Sequence, residues 1–552
     1  MKETQRVMRD QTQIYIVGAG IAGLSAAVFA IRDGGVDGRN IHLFEELKVV
    51  GGALDARSDR NKRYFIRGAR LINEKAYECY FDMLSTIPCL AEREEVGKGK
   101  NDAGHFRNHR PSRSVKDEIF EFNETHRLNT VTRLVGKEGA RVDHTRLGLD
   151  HLDRIALIVL VSVPEEAIDG MRIDEYFRPA FFKTNFWYLF ASMFGFEPWH
   201  SLIEYKRYVR RFFHEAPNIT TLKGGWNTPY NNYESIVTPI ERWLVKQGVD
   251  IQTGVRVTDV DFRPSRTRKS VQRLHFLKSG KKGEIVVGDR DRVFITIGSK
   301  VADSRTGSMN KAPDLVTDKR DGGWSLWAKM ATKVPGMGNP EAFSGHVDRT
   351  KWAVFTITTQ GPLFAERIRK YSRVKVQGEQ HILSFIDSNW GLGLHVPFQP
   401  HFTNQSPDTT VMLGYGLYGN TLGNYIKKTM TESTGEELLT ELVYHLGFLK
   451  DLVRIKEVTV AIPTTLPYAT SQFSPRRIAD RPQVVPQGST NLALLGQFVE
   501  IPDDCVFLVD YSTRSAQIGV YRLLNVKKPV TPVYTGIRSP IQWVNALHAS
   551  LQ

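Results

Sequence analysis

Apolar and polar positions along this chain fall into blocks with two different periods. Ile14-Tyr15-Ile16-Val17 is a short apolar run that enters Gly18-Ala19-Gly20-Ile21-Ala22-Gly23, followed by the small-residue stretch Leu24–Ile31 and then by Leu43-Phe44-Glu45-Glu46. That order predicts strand, tight turn, helix, strand and a terminal acid. Gly51-Gly52 and a polar turn over Asp55–Lys62 precede a strand-like Tyr64-Phe65-Ile66. Residues 74–87 read as an amphipathic helix, and residues 181–213 as aromatic helices around a greasy interior. Strand patterns recur at Gly248–Gln252, Gln272–Leu277 and Asp291–Gly298, and residues 380–416 alternate strands with Pro and Gly turns. Glu436–Leu449 predicts a helix capped by Ser433-Thr434. Leu492–Phe498 is another buried strand closing on glycine, with a helix beginning near Ser512.

The first of these blocks carries the clearest chemistry. Gly18 permits the tight turn, Gly20 lets backbone approach a pyrophosphate, and Gly23 lets helix pack on strand. The helix N-terminus offers free N–H groups to phosphate. Glu45 stands 22 residues beyond Gly23, where a carboxylate meets the ribose of an adenine dinucleotide. The later glycine-ending strands are expected to return to the same sheet. The fold class is therefore α/β: a discontinuous Rossmann-type dinucleotide-binding domain, an inserted α+β substrate domain and a helical C-terminal part. The expected borders are 1–75, 241–300 and 481–525 for the nucleotide segments. Residues 76–240 form a largely helical substrate-binding region, 301–480 the substrate domain, and 526–552 the C-terminal tail.

Bulk properties narrow the class. A chain of 552 residues, 41% hydrophobic and 24% charged, is ordinary for a globular protein with several domains. Cys79, Cys89 and Cys505 form no metal-ligand spacing and no even disulfide set, which fits a reducing cytoplasm and no metal centre. The apolar run Ile155–Val163 is far short of the ~20 residues needed to span a bilayer. The net charge of +14 is not accompanied by a nucleic-acid motif. Its local concentration, a basic loop at about residues 91–112, reads either as an attraction for anionic lipid or as solvated surface. The tail from Lys527, with Trp543, reads either as a peripheral membrane contact or as a packed terminal helix.

A series of motifs runs in order through Phe29–Gly34, Gly51-Gly52-Ala53-Leu54-Asp55, Pro198-Trp199-His200-Ser201 and Glu204-Tyr205-Lys206-Arg207-Tyr208. It continues through Tyr230-Asn231-Asn232-Tyr233-Glu234-Ser235, Gln399-Pro400-His401-Phe402, Thr434–Leu439, Pro467–Phe473 and Gly496-Gln497-Phe498. In these motifs the chain resembles the FAD-dependent oleate hydratases, the myosin-cross-reactive antigens, as a divergent member. The resemblance implies addition of water across a cis double bond of an unsaturated free fatty acid, with FAD required but no net redox.

Roles carry over position by position. Tyr208 falls on the family's proton-donating tyrosine, although a phenol of pKa ~10 needs help to act as an acid. Leu71 stands where the family has its water-activating glutamate, within Arg67-Gly68-Ala69-Arg70-Leu71; Glu74 is the nearest acid that could substitute. For FAD the resemblance implies Gly18, Gly20, Gly23, Glu45, Gly51, Gly52 and Arg70, with Asp55, Thr296 and Ser512 more loosely. For the substrate carboxylate it implies Asn232, His395 and His401, with Pro397 replacing a side-chain donor. A protonated His395 could pair with the carboxylate. The altered positions keep two further readings open: an FAD-dependent double-bond isomerase, in which protonation survives and water capture does not, and a lipid-binding flavoprotein without turnover. Monomer and homodimer are equally compatible with the sequence.

Overall fold

A computed structural model describes residues 12–59, 63–68, 70–90, 113–265, 267–319, 321–376 and 378–551. The basic loop expected at 91–112 lies outside these residues. Five parallel strands form the nucleotide sheet, in the order Leu492–Leu495, Arg292–Thr296, Ile14–Val17, Ile41–Glu45 and Asp250–Thr253. Three remote stretches of sequence therefore meet in one sheet, as the glycine-ending strands suggested. The central strands are short apolar runs, and helices Ile21–Arg32 and Val509–Leu523 pack on the sheet they form. Ile21–Arg32 packs there against Val509–Leu523, and Ser25 Oγ meets Thr513 Oγ1 at 3.3 Å.

A three-stranded meander, Val255–Phe262, Val271–Lys278 and Lys281–Val286, follows the nucleotide strand Asp250–Thr253, and a separate eight-stranded sheet has Trp352–Gln360 between Thr459–Leu466 and Thr409–Gly416. Beyond these come Leu392–Val396, His381–Phe385 and Leu134–Val135. The hairpin Ala56–Ser58/Tyr64–Ile66 docks onto this sheet: Ile66 N–H donates to Thr356 Oγ1, and that hydroxyl donates to the Ile66 carbonyl, both at 3.1 Å. The loop after Ile66 thus bridges the two sheets. Helix Gly435–His445 is capped by Thr434, which exchanges hydrogen bonds with Glu437. Ser433 is a loop residue bonded to the Thr429 carbonyl.

The helix expected over 74–87 is shorter, Glu78–Leu84. Asn73 Oδ1 accepts the N–H groups of Lys75 and Ala76, so a side-chain turn replaces the first helical turn. Glu74 sits exposed in that turn.

The aromatic region forms two helices, Asn185–Phe194 and Leu202–Arg211. The second is buried although it is highly charged, because every inward charge has a partner. Glu204 pairs with Arg476 at 2.8 Å and Arg481 at 3.4 Å, and Arg207 pairs with Glu165 and Glu500 at 2.7 and 2.6 Å. Arg211 pairs with Glu78 and Asp510, and Arg514 with Asp504. This lattice fixes the Tyr208 helix against the 500–514 segment.

Candidate active site at the junction of four cavities

The glycine turn forms the floor of a cavity of about 190 Å³, bounded by Gly18, Gly20, Glu45, Gly51, Gly52, Thr296, Gly496 and Ser512. Gly18 adopts φ +94°, and a Cβ on Gly23 would lie 1.9 Å from the Gly18 carbonyl, so only glycine closes this turn. Glu45, at the end of its strand, accepts the Ala19 N–H at 2.7 Å and the Leu47 N–H at 2.9 Å. Thr296 Oγ1 is buried beside Gly18 and has no hydrogen-bond partner among the described residues. The first turn of helix Val509–Leu523 contributes Val509 and Ser512 to the wall. A cradle that admits no Cβ, an orphaned hydroxyl and a carboxylate at the strand end fit an adenine dinucleotide.

Asp55 is placed elsewhere. It lies outside the lining of this cavity and forms an ion pair with Arg67 at 2.6 Å. Arg67 also donates to Ser304 Oγ and to the Gly52 carbonyl, so Asp55 holds the loop that clamps the site rather than facing the cofactor cavity.

Next to this cavity is an inner cavity of about 130 Å³ with Lys300 and Val301 on the shared wall. An outer cavity of about 420 Å³ adjoins it across Leu71, Met193 and Phe507. The outer space falls in the ~300–1,000 Å³ range of small-molecule sites, and it is lined chiefly by apolar side chains such as Leu157, Phe186, Phe190, Phe212 and Trp543. A small polar recess opens on the other side, between Asn232, His395 and His401. Arg70 lines all four spaces. Its Nη1 donates to the Ala53 carbonyl, and no carboxylate pairs with it among the described residues. Burial lowers its pKa, while Tyr77 and Tyr80 oppose that shift.

The expected carboxylate set is therefore brought together, although its charge differs from expectation. Asn232 Nδ2 donates to Thr228 Oγ1 at 3.1 Å. Burial pushes His401 down to about 4, and burial with the neighbouring His401 and His381 pushes His395 down to about 3. Both rings are neutral at physiological pH, so the pairing expected of a protonated His395 is replaced by neutral hydrogen bonding. Gln380 Nε2 lies 2.7 Å from His395 Nε2, and His395 Nδ1 has no partner among the described residues. The positive charge of the recess comes from Arg70, a residue expected from the sequence at the cofactor alone.

Leu71 lines the outer and inner cavities, and its side chain packs against the cluster of Leu128, Leu222 and Ile382. The neighbouring Ile72 exchanges backbone hydrogen bonds with Trp226, which holds the loop in place. Glu74 is exposed and lines none of the four spaces, so it does not stand in for an acid at 71.

Tyr208 is fully buried between Phe194, Phe196, Phe212 and Phe473. Its hydroxyl accepts the Phe507 N–H at 3.2 Å. The cavity wall nearest it is formed by Phe194, Phe212 and Phe507, one side-chain layer closer to the space. Burial raises its pKa well above the ordinary phenol value.

Lys300 is not among the residues that the sequence pattern singles out. The available signal was a lysine two residues beyond Gly298, at the end of a buried strand returning to the cofactor.

Known proteins resemble this chain over most of its length. The MCRA family model matches residues 11–521. An oleate hydratase of Streptococcus pyogenes serotype M49 (strain NZ131) is 37% identical, covering 94% of this chain and 86% of that protein. A linoleate hydratase of Lactiplantibacillus plantarum is 29% identical, covering 94% of each. Among solved structures, cyclohexylamine oxidase from Brevibacterium oxydans IH-35A shares the fold with a TM-score of 0.53 at 12% identity, covering 93% of this chain and 99% of that one. Wild-type putrescine oxidase, bound to putrescine, gives 0.51 at 11% identity over 93% and 99%. With a family model matching nearly its whole length and a curated relative this similar, the chain belongs to the MCRA family.

Proposed function

We propose that this protein is a fatty acid hydratase, a hydro-lyase that adds water across a cis double bond of an unsaturated free fatty acid. The observation that carries the reading is the junction itself: a polar recess with a cation, an inner cavity beside the dinucleotide cradle, and an apolar cavity beyond. The carboxylate is held by Arg70, Asn232 and the neutral N–H groups of His395 and His401. The alkyl chain runs past Leu71 and Phe507 into the outer cavity, where each buried methylene contributes about 0.8 kcal/mol. Fixing both ends positions one double bond in the inner cavity.

FAD is the cofactor that the cradle suits, held by the Gly18–Gly23 turn, Glu45, Thr296 and Ser512. When bound it supplies an ordered face beside the inner cavity and takes no net electrons. Tyr208 is the proton donor of this reading, and reaches the alkene only when the Phe507 segment shifts. The apolar walls of the outer cavity exclude bulk water, so the added water is the one held in the inner cavity.

The decisive test is incubation of FAD-loaded, anaerobically reduced protein with a panel of cis-unsaturated fatty acids in heavy-oxygen water. A hydroxy fatty acid carrying the label is expected. A shifted double bond without label would instead establish an isomerase, and unchanged lipid would establish binding without turnover.

The outer cavity also suggests how substrate arrives. Helices His151–Ser162 and Pro540–Leu551 border it and are joined by Arg154 Nε donating to the Ser550 carbonyl. Trp543 packs on Phe213, so the tail is a packed helix, yet Leu152, Ile155 and Ile541 remain exposed around it. These side chains form a lipid-facing rim in our reading. A Leu152→Ser/Ile155→Ser/Ile541→Ser variant is expected to lose sedimentation with phosphatidylglycerol vesicles while turning over detergent-dispersed substrate normally. Undiminished sedimentation would refute the rim.

A further inference from the structure

Hydration requires a group that accepts a proton from water, and the inner cavity offers few. Arg67 and Arg70 have no lone pair for this purpose. The Tyr415 hydroxyl donates to the Ser192 carbonyl at 3.3 Å, and burial raises its pKa. His395, with a pKa near 3, is a feeble base. Leu71 offers no polar atom.

Lys300 differs from all of these. It is 8% exposed, and it lines both the inner cavity and the dinucleotide cavity. Its Nζ lies 3.9 Å from the centroid of the Phe507 ring. It makes no hydrogen bond or ion pair among the described residues, although burying an unpaired ammonium is costly. The turn that carries it is firmly held: Gly298 adopts φ +61°, Trp324 Nε1 donates to the Ser299 carbonyl at 3.0 Å, and Arg67 Nη1 donates to the Val301 carbonyl.

Charged and titratable groups around Lys300 are Arg67, Arg70, His395 and Tyr415 on the inner cavity and Glu45, Glu46, Asp321 and Arg70 on the cofactor side. The carboxylates are engaged elsewhere: Glu45 with Ala19 and Leu47, Glu46 with Gly322, and Asp321 with Asp303. Burial, followed by repulsion from Arg70, brings the Lys300 pKa well below that of an ordinary lysine.

We propose that Lys300 is the water-activating base of this enzyme, its Nζ orienting and deprotonating the water that adds to the double bond beside Leu71. The proposal rests on the hydratase reading above. One water hydrogen passes to Nζ while a water oxygen lone pair forms the C–O bond at one alkene carbon. The π pair of the alkene takes the Tyr208 proton and forms the C–H bond at the other carbon. The resulting ammonium sits against the Phe507 ring, a favourable cation–π partner. Return of one proton from Lys300 to the Tyr208 phenolate through cavity water restores both groups, with no oxidant or reductant consumed.

The test compares the FAD-loaded wild type with Lys300→Met, Lys300→Arg and Lys300→Met/Leu71→Glu. Lys300→Met is expected to lower kcat by about 100-fold, a typical contribution of a general base, with KM little changed. FAD stoichiometry, flavin spectrum and thermal midpoint should stay as in the wild type. Lys300→Arg, permanently protonated, should not recover activity, whereas adding Leu71→Glu to Lys300→Met should restore roughly tenfold of it. As a readout independent of turnover, protein labelled at lysine Cε should show a resonance, absent from Lys300→Met, that titrates well below the ordinary ~10.4 of lysine. The proposal is overturned by Lys300→Met turning over like the wild type, by loss of FAD in parallel with activity, or by a Lys300 resonance titrating at the ordinary value. A wild type that yields no labelled alcohol removes the hydratase reading itself, which is distinct from an active wild type matched by its Lys300→Met variant.

Discussion

Tyr208→Phe is expected to lower hydration by about 100-fold or more, the range for removal of a general acid, and to leave FAD bound. The ring is enclosed by Phe194, Phe196, Phe212 and Phe473, so phenylalanine fills the same space. The one contact removed is the hydrogen bond from the Phe507 N–H, and leaving a buried donor unpaired costs about 1–3 kcal/mol. A small fall in thermal midpoint with a large fall in kcat therefore separates chemistry from packing. Cavity-lining residues stand between this hydroxyl and the substrate space, which gives the prediction its edge. If Tyr208→Phe turns over like the wild type, the proton comes from a group already on the cavity wall, and Tyr208 only braces the Phe507 segment.

Glu204→Gln is expected to destabilise the fold by about 3 kcal/mol, the lower end for breaking a buried ion pair. Glu204 is wholly buried and holds Arg476 and Arg481. An amide leaves both guanidinium groups underneutralised in a site that water does not reach. Burial pushes the Glu204 pKa up, but Arg476, Arg481 and Arg207 outweigh it and leave the group below the ordinary carboxylate value. A depressed folded-state pKa adds stability above the unfolded value of ~4.3 and loses it as pH falls through the depressed value. Thermal denaturation should therefore show a wide gap between wild type and Glu204→Gln at neutral pH that narrows in acid. An equal midpoint at neutral pH would show that the ion-pair lattice does not hold the Tyr208 helix.

In Glu204-Tyr205-Lys206-Arg207-Tyr208, Glu204 and Arg207 hold the helix through buried ion pairs, and Tyr208 is the residue for which we propose the proton transfer. The motif was legible as a block, but the division was not, because the partners Glu165, Arg476, Arg481 and Glu500 lie far away in sequence.

Local pattern by itself determined a good deal. The strand, the Gly18–Gly23 turn, the following helix and Glu45 form within about thirty residues, and their steric demands are written in the glycines. The return strands ending near Gly298 and Gly496 were readable because buried parallel strands are short, wholly apolar runs. The ordered motifs along the chain pointed to the family, and the replacement of an acid by Leu71 was visible from them.

Tertiary structure decided the rest, wherever burial or remote partners set the outcome. Glu74 looked available in sequence, but Asn73 forms a turn that leaves it exposed. His395 and His401 could have been cations, and packing makes them neutral. Arg70 passed for a cofactor ligand alone until folding set it at the junction of four cavities. Lys300 carries no local signature of a base; its character comes from a turn that buries its ammonium without a counter-ion beside another cation. Charge state depends on the dielectric surroundings and on neighbours hundreds of residues away, and a linear pattern encodes neither.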